Sequence, residues 1–193
     1  MQQRFEQYKD PLAFLIDHYG TQVDFISIRL EQSESTSLLL RGLKIETLSE
    51  EFSLGGQIRV CDRGGWGFAS FNGIQSLRER TEEAVTAAKW VRAGKTILAE
   101  IEPRQTVVPL QFSGTNPREV PIVSKKNLCS NYADLLRSVS PKVTTVSVRY
   151  LDSLQNVLYV TSEGTVLEQS WVDMEMRFAA TARNDSQVQT GRE

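Results

Sequence analysis

The run Cys61–Ser70 limits the possible folds of this chain more than any other segment. Apolar residues precede Gly64 and Gly65, and aromatic residues follow them, which is the pattern of two strands joined by a tight turn. Ser76 and Glu79 have the spacing of a capping box, in which the two side chains satisfy the first free amides of a helix. The segment therefore predicts a β-hairpin that leads at once into a capped helix.

The rest of the chain predicts further helices and strands. Asp10 and Pro11 have the residue types favoured at the start of a helix, and Ser124 would cap another helix, which Pro141 ends. Apolar patterns predict strands at 23–30, 38–40, 43–48, 143–151, 156–161, 166–171 and 174–183, with a polar turn at 31–35. Residues 95–123 contain four prolines and little periodicity, so an irregular connection is expected there.

Three short blocks recur in the same order about 120 residues further along the chain. Ile26–Arg29 matches Val146–Arg149, Ile45–Glu46 matches Leu167–Glu168, and Ile58–Val60 matches Met176–Phe178. Chance similarity between short strands is one explanation, and internal duplication, which the shared order favours, is the other. We therefore expect an α+β domain of two halves, about 10–94 and 124–187, each a helix followed by an antiparallel meander, with the helices packed on the antiparallel sheet.

The composition excludes some classes of protein. Hydrophobic residues make up 40% of the 193 residues and charged residues 24%, as in an ordinary globular protein. The net charge is −2 and the two signs are interspersed, so a direct nucleic-acid surface is not expected. No apolar run approaches the roughly 18 residues of a membrane span, and the N-terminus lacks the apolar core of a secretory signal. We expect no membrane contact and, by default, a cytoplasmic location.

Few residues of this chain are suited to catalysis or to metal binding. His18 is the only histidine, whereas a histidine-based zinc site usually needs two or three, and its position near a helix end is typical of a surface residue. Cys61 and Cys129 stand alone in apolar surroundings and are predicted to be buried free thiols, with a disulfide or a cysteine hydrolase as alternatives. Gly64–Gly67 lacks the Lys-Ser/Thr ending of a phosphate loop. No catalytic residue, metal ligand or cofactor is therefore predicted in this chain.

Two groups of side chains have both a functional and a structural interpretation. Trp66 and Phe68, with Arg63 in the turn before them, could form a surface that contacts a peptide or a partner domain. The alternative is that the rings fill the core between sheet and helix, and we prefer it for at least one of them. Lys125 and Lys126 lie in the first turn of their helix, where a solvated surface pair is expected and contact with an acidic partner is the alternative.

The order of these elements resembles the N-terminal domain of the TldD/PmbA family, once called modulators of DNA gyrase and now regarded as zinc metallopeptidases. The resemblance covers the early helix, the strand at 23–30, the hairpin Gly55–Ser70, the alanine-rich helix and the second block of helix and strands. Ser162–Gly164 is similar to a turn of the family, and Gln187–Glu193 to the segment that joins the catalytic domain. Trp66–Ser70 resembles the TldD side of the family more than the PmbA side.

The resemblance implies that this chain and a C-terminal domain, which it lacks, have different roles. In the family, zinc is held by that C-terminal domain, so zinc is implied for the full-length protein and no metal ligand is carried over to this chain. The resemblance implies a non-catalytic domain that shapes peptide access and subunit contact, with the peptidase domain, a family member in a homo- or heterodimer, and peptide substrates as partners. A stand-alone protein-binding module of the gyrase-modulator type, without peptidase activity, is the alternative.

Overall fold

The computed structural model describes residues 5–92, 94–96, 98–111 and 114–193. Within these residues the helices are α1 (Glu6–Gly20), α2 (Leu77–Trp90) and α3 (Ile122–Ser138), with a short 3-10 helix at Pro117–Glu119. The strands are β1 (Phe25–Arg41), β2 (Lys44–Asp62), β3 (Gly65–Asn72), β4 (Gln105–Val108), β5 (Val143–Thr161), β6 (Val166–Asn184) and β7 (Gln187–Arg192). Over the described ranges, no helix is both long and apolar enough to cross a membrane.

The strand order is β3-β2-β1-β5-β6-β4, and β7 pairs with β6 outside this path. β3 lies antiparallel to β2, and β7 lies antiparallel to β6. The α+β class is therefore confirmed. β4 differs from our expectation in two ways, because it lies in the segment predicted to be irregular and pairs with β6 in parallel. Its four residues are all exposed, so no apolar alternation marks it in the sequence.

The strands are longer than the sequence patterns predict, because the predicted interruptions do not interrupt them. β1 continues through the polar residues 31–35, β5 joins the two strands predicted at 143–151 and 156–161, and β6 joins those at 166–171 and 174–183. Each of these strands has a strand neighbour on both sides in the sheet order. Ladder hydrogen bonds from two neighbours hold polar residues in extended structure, which local propensity does not reveal.

The predicted starts of α1 and α3 are wrong, whereas α2 begins directly after Ser76 as predicted but without the expected side-chain cap. α1 begins at Glu6, and Pro11 lies inside it; Phe5, immediately before the helix, is buried in the core. Ser76 precedes α2 but forms no capping hydrogen bond through its side chain, so the capping box is absent. α3 begins at Ile122 after Pro121, two residues before Ser124.

The chain forms two compact units, each built from three segments. The first comprises Met1–Gln32, Ser53–Leu110 and Gln155–Ser170, and the second comprises Ser33–Phe52, Gln111–Leu154 and Trp171–Glu193. Both units take segments from the two predicted halves, about 10–94 and 124–187, and the predicted internal duplication is not confirmed.

The first unit contains a core between two helices and one face of its strands. The helices contribute Leu12, Leu15, Ile16, Tyr19, Leu77, Ala84, Val85 and Ala88, and the strands contribute Ile26, Ile28, Leu30, Ile58, Val60, Phe71, Leu158 and Val160. Alternate residues of the same strands point to the opposite face, which neither helix covers. We call the opposite face, with Phe25, Arg29, Arg59, Trp66 and Phe68, the open face.

The second unit has its own core, formed by one helix and its strands. Cys129 and Ala133 of α3 pack on Leu38, Leu40, Val146, Val148 and Tyr150, and these seven residues are all buried. Apolar side chains near the end of α3 are also exposed: Leu135 of the helix is 60% exposed, and Val139, the residue that follows the helix, is 75% exposed. The helix therefore has one buried apolar face and further apolar surface in contact with solvent.

Candidate functional site

β3 lies directly against α2 because the strand face that meets the helix carries glycines. A Cβ atom at Gly65 would lie 2.3 Å from the carbonyl oxygen of Ala88, and one at Gly67 would lie 1.9 Å from that of Ala84. These distances are far below van der Waals contact, so only glycine permits this approach of backbone to backbone. The side chains between and after these glycines therefore point away from the helix.

Trp66 and Phe68 occupy those alternate positions and lie on the open face. Phe68 is 62% exposed, and Trp66 is half-buried. The two rings stack with their centroids 6.1 Å apart and their planes 16° apart, and Phe25 meets Trp66 edge-on at 6.3 Å. The interpretation that one of them fills the core between sheet and helix is wrong, because Trp66 and Phe68 alternate with Gly65 and Gly67, which face the helix, and neither ring belongs to the core cluster of the unit.

Arg59 completes this aromatic cluster, and sequence reasoning missed it. Its guanidinium carbon lies 5.2 Å from the Trp66 ring centroid and 5.8 Å from that of Phe68. Arg59 is the direct cross-strand partner of Phe68 in the β2–β3 ladder. At these distances a guanidinium is attracted to the negative faces of aromatic rings. The signal was available in the hairpin, since a two-residue turn at Arg63-Gly64 fixes this register.

Arg63, by contrast, lies in the turn and not in the aromatic cluster. It and Gly64 have φ values of 47° and 78°, and positive φ at both central residues is what a type I′ hairpin turn requires. The Arg63 amide donates a hydrogen bond of 2.6 Å to the Asp24 carboxylate. Arg63 lines a separate cavity of about 500 Å³ with Asp24, Lys95 and Glu163. The structure thus brings together two of the three predicted contact residues.

A groove of about 300 Å³ lies next to the cluster on the open face. Arg29, Gln57, Arg59 and Tyr159 are among the residues that line it, and the buried side chains of Ser27 and Val157 also contribute. None of its lining residues is acidic. Arg29 is paired with Glu31 at 2.5 Å, whereas no ion pair is found for Arg59 within the described residues. The groove therefore offers guanidinium groups to an anionic ligand.

The structure does not bring together the possible metal ligands and the two cysteines among the residues that it describes. His18 is exposed and stacks on Phe14 in the last turns of α1. Cys61 and Cys129 are free and buried, as predicted, and burial raises the pKa of both thiols. Across the part of the chain that the structure describes, no group of three or more His, Cys, Asp or Glu residues is placed to hold a metal ion.

The two thiols are therefore expected to be inert in the folded chain. Iodoacetamide reacts with thiolates, and both a raised pKa and complete burial suppress that form at Cys61 and Cys129. We predict no labelling after an hour at pH 7.5 and complete labelling of both residues in urea, measured by intact mass spectrometry. Rapid labelling of either residue under native conditions would instead support the cysteine hydrolase.

The second unit contains a buried ionic cluster that the sequence did not reveal. The Asp152 carboxylate is fully buried and accepts hydrogen bonds from Arg118 at 2.7 Å, Lys125 at 2.5 Å and Tyr150 at 2.6 Å. Arg118 also donates to the Thr36 hydroxyl at 2.7 Å. Lys125 is only 4% exposed, so its prediction as a solvated surface lysine is wrong.

Opposing effects set the pKa of the Asp152 carboxyl. Burial alone would raise it, but hydrogen bonds from Lys125, Tyr150 and Arg118 outweigh that effect and hold the pKa below its usual range. Burial and the neighbouring carboxylate raise the pKa of the Tyr150 hydroxyl. The cluster is therefore a carboxylate held ionised by two cations and a hydroxyl. This arrangement is suited to fixing the positions of β1, β5 and the start of α3.

Comparisons with known proteins place this fold in one family. The family model of PmbA/TldA metallopeptidase domain 1 matches residues 26–88, and that of the PmbA/TldA metallopeptidase central domain matches residues 115–193. The chain belongs to the PmbA/TldD metallopeptidase family.

Relatives of known sequence and structure agree with this assignment. A metalloprotease of Synechocystis sp. is 55% identical over 185 residues, which are 96% of this chain and 40% of the relative. A metalloprotease of Methanothermobacter thermautotrophicus is 26% identical over 182 residues, or 94% of this chain and 39% of the relative. The chain thus spans about 40% of the length of these relatives.

Solved structures share the fold at low sequence identity. A candidate modulator of DNA gyrase from Bacteroides thetaiotaomicron has a TM-score of 0.78 and 15% identity, over 96% of this chain and 44% of that one. TldE from Thermococcus kodakarensis has a TM-score of 0.68 and 16% identity, over 93% of this chain and 42% of that one.

Proposed function

We propose that this chain is the non-catalytic N-terminal part of a TldD-like zinc metallopeptidase. Its role is to guide peptide substrates along the open face toward a C-terminal peptidase domain and to contribute to contact between subunits. The observation that carries the proposal is the stacked pair Trp66–Phe68 beneath the Arg59 guanidinium, because such a cluster has no role in the core of its unit. We also propose that the protein forms a homo- or heterodimer with a family member and that it is located in the cytoplasm.

The metal-binding side chains among the described residues do not fit the zinc ion that the family name implies. Both thiols are free and buried, and the one histidine stacks on a phenylalanine at the surface. Structural or catalytic zinc requires three or four ligands around one point. In this proposal the catalytic metal belongs to the C-terminal part of the longer protein, and the residues described above supply binding and orientation.

This proposal is tested by separating binding from chemistry in the full-length protein. Replacing Trp66 and Phe68 together with alanine should raise KM for an unstructured fluorogenic peptide about tenfold, the cost of truncating a well-placed aromatic contact, with kcat little changed. Phe14→Ala is the matched control, because Phe14 is 65% exposed but lies on α1. The 193-residue chain alone, with zinc added, should not cleave the peptide.

Two results would contradict the proposal. Robust, zinc-dependent cleavage by the isolated chain would place the chemistry in these residues. An unchanged KM in the Trp66→Ala/Phe68→Ala variant would remove the open face from the path of the substrate.

A stand-alone protein-binding module is the second candidate, and the exposed surface of α3 favours it. Tyr132, Leu135 and Leu136 line an apolar cavity of about 440 Å³ together with Phe178 of β6. Exposed apolar surface of this kind is typical of a protein interface. Micromolar binding of the purified chain to purified DNA gyrase that is lost in Leu135→Asp would favour the stand-alone binding module over a role as part of a peptidase.

A further inference from the structure

The groove on the open face has a charge opposite to that of the whole chain. The chain has a net charge of −2, yet the residues that line the groove include two arginines and no acidic side chain. Glu31 neutralises Arg29 in part, and no ion pair joins Arg59 to a carboxylate in the described ranges. A local excess of positive charge beside an aromatic pair selects a ligand that is both anionic and apolar.

The aromatic rings also hold the Arg59 guanidinium in place. Arg59 lies over Trp66 and Phe68 and is the cross-strand partner of Phe68, so its long side chain is ordered before any ligand arrives. An ordered guanidinium loses less conformational entropy on binding, and its planar fork matches the two oxygens of a carboxylate. This arrangement favours a carboxylate over a neutral hydrogen-bonding group.

The spacing of the cluster matches an extended peptide. The guanidinium carbon of Arg59 lies 5.2–5.8 Å from the two ring centroids. Side chains two residues apart in an extended strand lie on the same side and are separated by roughly 7 Å. A carboxylate and an apolar side chain at positions i and i+2 of a peptide can therefore engage the guanidinium and the rings at the same time.

We propose that the open-face groove binds peptides that carry a carboxylate two residues from an aromatic or large aliphatic side chain, through Arg59 and the Trp66–Phe68 pair. This inference rests on the proposed function, because it names the substrate class of the same face. The carboxylate comes either from an acidic side chain or from the C-terminus of a peptide. Arginine and aromatic rings also bind single-stranded nucleic acid, but the acidic balance of the chain favours a peptide.

The test uses three synthetic peptides and calorimetric titration of the 193-residue chain. The blocked peptide acetyl-Ser-Glu-Ser-Phe-Ser-amide carries a side-chain carboxylate, and its glutamine analogue carries none. Acetyl-Ser-Phe-Ser-Ser with a free C-terminus carries only a terminal carboxylate, two residues beyond the phenylalanine. We expect at least one of the carboxylate peptides to bind tenfold more tightly than the glutamine peptide, and the tighter one identifies the source.

Two variants assign the effect to Arg59. Arg59→Gln should remove the tenfold preference, so that the carboxylate peptides and the glutamine peptide bind this variant with equal affinity, whereas Arg59→Lys should keep part of the preference because it retains the charge. Arg137→Gln, at an exposed position of α3, is the matched control and should change neither affinity.

The outcomes separate this inference from the proposed function. Equal affinity for the three peptides, or a preference that survives Arg59→Gln, overturns the inference and leaves the proposed function standing. Displacement of the glutamate peptide by a twelve-nucleotide oligo(dT) at equal concentration also overturns the inference, because the groove would then be a general anion surface. The proposed function fails independently, through an unchanged KM in the Trp66→Ala/Phe68→Ala variant of the full-length protein.

Discussion

Asp152→Asn is expected to lower the free energy of unfolding by about 3–5 kcal/mol, the cost of breaking a buried ion pair from one side. Asp152 is fully buried, and Lys125 beside it is 4% exposed. The substitution keeps the volume of the side chain but leaves the Lys125 ammonium without its buried counter-ion. Urea unfolding, followed by circular dichroism, measures the loss.

Two further variants separate the ion pair from the simple loss of a side chain. Asp134→Asn makes the same chemical change at an exposed position of α3 and should shift the free energy of unfolding by about 0.5 kcal/mol at most. Combining Asp152→Asn with Lys125→Met removes both charges, so the double variant should be more stable than the sum of the two single losses predicts. Additive losses would show that Lys125 and Asp152 do not interact.

The same variant should change how stability depends on pH. The pKa of Asp152 is lower in the folded chain than its ordinary value, so the ionised carboxylate stabilises the fold above that ordinary value. This contribution is lost as the pH falls through the folded pKa. The wild-type chain should therefore lose stability more steeply below about pH 4 than Asp152→Asn does.

The cluster around Asp152 shows what the sequence could not predict. Its members come from separate segments, with Thr36 on β1, Arg118 and Lys125 around the start of α3, and Asp152 on β5. A lysine pair in the first turn of a helix is locally typical of a solvated surface. Burial of Lys125 depends on a carboxylate 27 residues away, and no periodicity carries that information.

The hairpin shows a case in which local residues predict the element but not its register. The sequence predicts a tight turn at Gly64 and Gly65, whereas the structure has the two-residue turn at Arg63 and Gly64. The observed turn pairs Arg59 with Phe68 and Cys61 with Trp66, so the contact of Arg59 with the aromatic rings did not follow from the predicted turn. The long strands were missed because residues 31–35 are polar, and only neighbouring strands keep them extended.

Gly67→Ala is expected to destabilise the chain by about 3 kcal/mol or more, at the upper end of the cost of overpacking. The new Cβ atom would lie 1.9 Å from the carbonyl oxygen of Ala84 and 2.6 Å from the amide nitrogen of Ala88. Both are backbone atoms in the middle of α2, so no rotation of a side chain can relieve the contact. β3 must move away from the helix, and urea unfolding should show the loss.

The clash in Gly67→Ala involves backbone atoms of α2, so shortening a side chain of the helix cannot relieve it. Ala84→Gly removes the methyl group of Ala84 but leaves its carbonyl oxygen in place, so it should not rescue Gly67→Ala; a rescued double variant would contradict the close approach. Gly191→Ala is the matched control, because no atom of the residues that the structure describes lies within 4 Å of a Cβ atom there, and it should be neutral or slightly stabilising. Trp66 and Phe68 flank Gly67, so the displacement of β3 should also weaken peptide binding at the open face. The close packing of β3 on α2 is therefore expected to support the function proposed for the opposite face of the strand.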